Sequence, residues 1–176
     1  MTVRVICDSS QNIPDAYLDT LDIIECPASL IFGDQVYLHK VDILEAEFYQ
    51  RLASLPKGAP LPTTAQPAPG QFTAALQRAK AEGATSAVIT AVSAKLSGTY
   101  NSALQAAQQE EDIPVRVWDT TSPSMGGGWQ TIVAAELARS GAALDDILAA
   151  LSGAHQRVAT AFTVDTLKYL VASGRL

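Results

Sequence analysis

The chain has 176 residues, 48% of them hydrophobic, which suits one domain with a sizeable core and excludes a disordered chain. Its formal net charge of −6 comes from scattered carboxylates with no block of Lys or Arg, so nucleic acid and anionic membrane surfaces are poor partners. The amino terminus, Met1 to Cys7, meets an acidic residue at Asp8, leaving an apolar run too short for a secretory signal or a membrane span. A cytoplasmic protein with no stable membrane insertion is therefore expected.

Val3 to Cys7 is a run of β-formers, and Asp8 to Pro14 follows as a polar loop whose proline suits the first turn of a helix. Leu21 to Cys26 reads as a second strand. Ser29 to Phe32 and Val36 to Leu38 meet across Gly33-Asp34, a two-residue turn compatible with a hairpin on one edge of the sheet. Asp42 and Glu45 have capping-box spacing before a helix with Phe48, Leu52 and Leu55 on one stripe. Pro56 to Pro69 holds five prolines and reads as a long loop carrying Thr63 and Thr64. Gln71 to Glu82 is an amphipathic helix closed by Gly83, and Ser86 to Val92 is an apolar central strand.

That strand runs into Ala91 to Ala103, where a hydroxyl- and glycine-rich turn leads into the helix Thr99 to Gln109. The free N–H groups of such a helix start point out of the carboxyl edge of a sheet and suit a small anion, while Ser97 also suits a simple helix cap. Val115 to Trp118 is the next strand, ending at Asp119, and Thr120 to Gly128 reads as a second polar crossover turn. Helices follow over Trp129 to Arg139 and Leu144 to Gln156, then a strand over Val158 to Val164 and a last helix over Thr166 to Ala172. The order predicts an α/β fold: a largely parallel open sheet flanked by helices, with a small edge hairpin and a crevice at the carboxyl edge.

Catalytic equipment is sparse. His39 and His155 are the two histidines, neither beside a G-x-S-x-G elbow, and both read as surface residues. Gly126 to Gly128 follows a strand but lacks the remaining glycine spacing of a dinucleotide fingerprint, and no Gly-Lys-Ser/Thr is present. Asp8 and Asp119 could converge on a magnesium ion, although each equally suits hydrogen bonding to its own turn. Cys7 and Cys26 lack metal-ligand spacing and read as reduced, buried side chains. What stands out is loop hydroxyls, Ser93, Ser97, Thr99 and Thr64 among them, which can bind a carboxylate without a buried cation. The competing reading is a metal-dependent enzyme acting on a small phosphorylated metabolite, with Gly126 to Gly128 and the Ser97 helix start as phosphate sites and Asp8 or Asp119 as ligand or base.

Several motifs fall in one order along the chain: Cys7-Asp-Ser-Ser10, Phe32-Gly33 through Val41-Asp42 to Phe48-Tyr49, Thr64-Ala-Gln-Pro67, Leu96-Ser-Gly-Thr-Tyr-Asn-Ser-Ala103, Val117-Trp-Asp119, and Leu167-Lys-Tyr-Leu170 through Gly174-Arg175. In these the sequence resembles the amino-terminal part of the DegV family of fatty-acid-binding proteins. The resemblance implies a non-enzymatic carrier without cofactor or metal that holds a long-chain fatty acid in an apolar tunnel. It implies that Thr64 and Ser97 bind the carboxylate; Ser93, Gly98 and Thr99, in the same turn and helix start as Ser97, are further ligand-binding candidates. It further implies presentation of the acid to a fatty acid kinase, with Arg175 a candidate for partner contact. Ala65 stands where the family usually has Ser. Family members continue into a second domain that closes the tunnel, so residues 1–165 are expected to form the fatty-acid-binding domain and 166–176 to begin a connection to a domain not present in this chain.

Overall fold

The computed structural model describes residues 2–174. Four strands, β1 (Val3–Asp8), β2 (Ile24–Cys26), β6 (Ser86–Ala91) and β7 (Val115–Asp119), form an all-parallel sheet in the order β2-β1-β6-β7. Helices α1 (Asp15–Leu21), α5 (Met125–Arg139) and α6 (Leu144–His155) pack on one face, and α3 (Pro69–Ala81) and α4 (Thr99–Gln108) on the other. Because both faces are covered, every residue of β1 and β6 is buried, and the two strands read as continuous apolar runs rather than alternating ones.

Alternate side chains serve the two faces. Val5, Cys7 and Val88 meet Ile132, Ile147 and Leu151, while Ile6 and Ile89 meet Phe72, Leu76 and Ala103. Small residues on α4 let that helix lie close to the sheet, and Ala103 and Ala106 are buried. The chain leaves β1 for β2 on one side and returns to β6 on the other. The carboxyl ends of β1 and β6 therefore mark a topological switch point, the usual place for a ligand crevice in an open α/β sheet.

The hairpin forms as β3 (Ser29–Phe32) and β4 (Gln35–Leu38), with Gly33 at φ +60 in the turn. It does not extend the parallel sheet. It takes a third strand, β5 (Thr63–Ala65), from the proline-rich segment and makes a separate antiparallel sheet in the order β4-β3-β5. The helix α2 (Glu45–Ala53) follows the hairpin, and a short α7 (Lys168–Ala172) closes the described chain.

Four sequence expectations need correction. Leu21 belongs to α1, and Asp22 turns the chain at φ +55 before β2 begins at Ile24. Asp42 does not cap α2: its carboxylate accepts the Leu38 N–H at 2.7 Å, and Leu44 stands at the N-cap. Gly126 to Gly128 lie inside α5 rather than in a crossover turn. Val158 to Val164 is not a strand, because no neighbour pairs with it and its alternation buries nothing; Phe162 is 68% exposed.

Candidate ligand-binding site

At the carboxyl edge of the parallel sheet, polar side chains hold the turns in place. The buried carboxylate of Asp8 accepts the N–H of Val92 at 2.8 Å, the N–H of Ser10 at 3.1 Å and the Gln11 amide at 3.3 Å. Asp119 accepts the N–H groups of Thr121 and Ala94, at 2.8 and 3.2 Å. Both carboxylates thus bind backbone, as short acidic side chains in turns do, and nothing in their surroundings supports the metal reading. Beneath them Gln11, Thr90 and Thr131 form a buried hydrogen-bonded cluster, with the Thr131 hydroxyl on Gln11 Oε1 at 2.5 Å and on Thr90 Oγ1 at 2.7 Å. The cluster ties β1, β6 and α5 together behind the crevice.

Two glycines of α5, Gly127 and Gly128, serve the same packing. A Cβ at Gly127 would stand 2.9 Å from Thr120 Oγ1, and one at Gly128 would stand 3.1 Å from the Gln11 carbonyl. Only hydrogen fits where α5 meets the end of β1. This is close packing of a helix, not a phosphate cradle, and the enzyme reading loses the first of its two proposed phosphate sites.

The turn after β6 is compact. Ser93 is buried; its carbonyl accepts the N–H groups of Leu96 and Ser97, and its hydroxyl accepts the N–H of Lys95 at 3.3 Å. Gly98, not Ser97, is the N-cap of α4, with φ −73. The Ser97 hydroxyl still accepts the Thr99 N–H at 3.3 Å and pairs with the buried Thr99 hydroxyl at 2.9 Å. Ser97, Gly98 and Thr99 therefore present one hydroxyl-rich helix entrance, while Ser93 supports it from within.

Thr64 reaches this place from the small sheet. It pairs with Leu30 on β3 and is exposed. Two residues on, the Gln66 amide lies over Gly98, where a Cβ would come within 3.0 Å of Gln66 Nε2. The strand bearing Thr64 and the turn bearing Ser97 are thus in contact through Gln66 and Gly98, the two sequence motifs meeting in space.

Thr64 also borders a groove of about 1030 Å³ between α2, the segment before β5, and α7. It is lined by Phe48, Tyr49 and Leu52 of α2, Leu61 and Pro62 of the segment before β5, and Tyr169 and Leu170 of α7. Thr63 and Thr64 line it; Ser93, Ser97, Gly98 and Thr99 do not. Its lining explains an oddity of α2, which is amphipathic yet buries none of its residues: its apolar face is a groove wall. Arg175 lies outside the described residues.

Sequence reasoning missed one polar chain nearby. His39 is not a surface residue; its side chain is 11% exposed. Its Nδ1 stands 3.0 Å from the Ser9 hydroxyl and its Nε2 3.2 Å from Glu45. Ser9 Oγ also accepts the Ala28 N–H at 3.0 Å, so the backbone of Ala28, the Ser9 hydroxyl, the imidazole and Glu45 form one hydrogen-bonded chain. A Ser-His-Glu chain of this kind resembles a hydrolytic triad, but Ser9 is completely buried and offers no nucleophile to a substrate. The next residue, Lys40, adopts φ +65 and sends Nζ to the Ile13 carbonyl at 3.0 Å, to Asp15 at 2.7 Å and to Glu25 at 3.3 Å.

The structure defines a class: a doubly covered parallel α/β domain with a hydroxyl-rich turn at its switch point and an apolar groove beside its small antiparallel sheet. The model of the DegV family, described as uncharacterised proteins, matches residues 2–176, and the chain belongs to that family. It is 32% identical over 174 residues to a DegV domain-containing protein of Halalkalibacterium halodurans, covering 99% of this chain and 60% of that one. Among solved structures it resembles a DegV family protein of Thermus thermophilus described for fatty acid binding, at 31% identity and TM-score 0.85, covering 99% of this chain and 61% of that one. DegV of Bacillus subtilis, described as a fatty acid binding protein, superposes with TM-score 0.87 at 26% identity, with coverage of 99% and 61%. The chain thus spans about three fifths of the length of these relatives. Among the described residues no helix is long and apolar enough to cross a membrane.

Proposed function

We propose that this chain binds a long-chain fatty acid, the tail in the groove between α2 and α7 and the carboxylate at Thr64 and Ser97, with Gly98 and Thr99 at the helix entrance and Ser93 beneath. The observation that carries the reading is the contact of Gln66 with Gly98, which brings the segment after β5 against the Ser97 turn, while Thr64 on the same segment lines the apolar groove. Burial of an acyl chain yields about 0.8 kcal/mol per methylene, so a sixteen-carbon tail offers roughly 11 kcal/mol when fully enclosed. Hydrogen bonds to the charged head add about 1.5–3 kcal/mol each. The tail sets affinity and the hydroxyls set orientation.

The protein in this reading is a cytoplasmic carrier, not a catalyst, and presents the acid to a fatty acid kinase, with Arg175 as a contact for that partner. Residues 1–165 form the binding domain, and 166–176 begin the connection to a second domain that encloses the tail. Native mass spectrometry of protein purified from cells tests the first part: a co-purifying acid in one-to-one ratio is expected, and a ligand-free spectrum with no response to added palmitate or oleate contradicts it. Palmitate phosphorylation by the kinase should depend on the carrier and fall in Arg175→Glu without a change in lipid affinity.

A further inference from the structure

The two groups assigned to the carboxylate stand on different sheets, and their spacing depends on whatever fixes one sheet against the other. A continuous path of hydrogen bonds joins them. The Ser97 turn grows from the end of β6, where the Val92 N–H is held by Asp8 at the end of β1. The next residue, Ser9, accepts the Ala28 N–H, and the Ala28 carbonyl accepts the His39 N–H at 2.9 Å. Ala28 leads into β3, whose Leu30 is the partner of Thr64. His39 closes the path from the side, with one ring nitrogen on Ser9 and the other on Glu45 in the first turn of α2. It touches the parallel sheet, the small sheet and the groove wall at once.

We propose that His39 is a positioning residue: by joining Ser9 to Glu45 it fixes the small sheet and α2 against the parallel sheet, and so sets the distance between Thr64 and Ser97 at which a carboxylate is gripped. The inference rests on the fatty-acid reading above. α2 buries no residue of its own, so its place depends on a few anchors: buried Ile43 just before it, the edge contact of Phe48 with Phe32 at 5.7 Å, Arg51 over the Tyr37 ring at 4.6 Å, and the Glu45–His39 bond. Removing the imidazole unlinks Glu45, and with it the start of α2, from the buried Ser9. Lys40 fastens the same corner to α1 and β2, which keeps the hairpin attached when His39 is changed.

The test compares two lipids with the same tail, palmitate and hexadecanol, titrated into the delipidated chain. Wild-type protein is expected to prefer palmitate. In His39→Leu that preference should fall roughly tenfold, the equivalent of one charge-assisted hydrogen bond lost from the head group. His39→Gln, which offers an acceptor to Ser9 and a donor to Glu45, should restore it. Glu45→Ala, cut at the partly exposed end and leaving the core untouched, should lower the preference several-fold and serves if His39→Leu does not fold. A preference unchanged in both His39→Leu and Glu45→Ala, or affinities for both lipids that fall in parallel, overturns the positioning role. Wild-type protein that binds both lipids equally overturns the carboxylate reading itself, and the positioning role with it.

Discussion

The molecule has two regions of opposite construction. The parallel sheet and its five helices bury whole strands, saturate their polar side chains and leave no room for a methyl group at Gly127. The small sheet, α2 and α7 bury almost nothing: the residues of β3 are half-buried, and neither α2 nor α7 contains a buried residue. The first region is a rigid holder that presents the Ser97 turn. The second is a wall whose apolar side chains face a groove instead of a core, the condition expected of a surface that gains its packing from a ligand. On the proposed reading, stability resides in one region and lipid affinity in the other.

Substitutions should divide along that line. The largest effect on stability is expected for Phe72→Ala, at a completely buried ring packed among Ile6, Ile89 and Leu76, with a loss of about 3–5 kcal/mol by denaturant unfolding. Leu52→Ala on the groove wall should cost under about 1 kcal/mol of stability, while weakening lipid binding. A Leu52 variant as destabilising as Phe72→Ala would erase the distinction. Ser97→Ala and Thr64→Val come next: each should weaken palmitate binding by about tenfold while leaving the unfolding midpoint nearly unchanged.

A smaller effect appears in alkali. Burial, reinforced by the nearby Asp8 and Glu25 carboxylates, pushes the Cys26 thiol up to about 12. In the unfolded chain that thiol ionises near its ordinary value of about 8.5. Above that pH the unfolded state releases a proton which the folded state keeps, so stability falls as pH rises from about 9 toward 12. Cys26→Ala should flatten this limb of a stability-against-pH curve and leave the neutral region lower by its cavity cost. Cys7, on the opposite face of the sheet and raised by burial, contributes in the same direction.

Much of the rigid region was legible in sequence, because its signals are local and repetitive. The apolar run Ser86 to Ala91, the stripe of Phe72, Ala75, Leu76 and Ala79, and the turn into α4 each announce themselves within a dozen residues. The groove region was less so. β5 is a three-residue strand between Pro62 and Pro67, and its pairing with β3 is settled by tertiary contact, not propensity. The glycines at 126 to 128 resemble a loop in sequence, yet Gly127 and Gly128 meet the close approach of α5 to Thr120 and Gln11, and Gly126 that of Thr160 and Ser122. Val158 to Val164 alternates like a strand without a partner strand beside it. The link from Ser9 to His39 spans 30 positions, and no periodicity encodes it. At the mouth of the groove, Thr64 and Ser97 could be named from motif resemblance; that Gln66 and Gly98 join them required the fold.

The central claim is that one carboxylate sits at the junction of the two regions. Palmitate labelled with carbon-13 at its carboxyl tests this most directly by NMR. The account predicts a single bound carboxyl resonance, distinct from free lipid, that shifts in both Ser97→Ala and Thr64→Val. A bound resonance indifferent to both substitutions, or none at all, would contradict it.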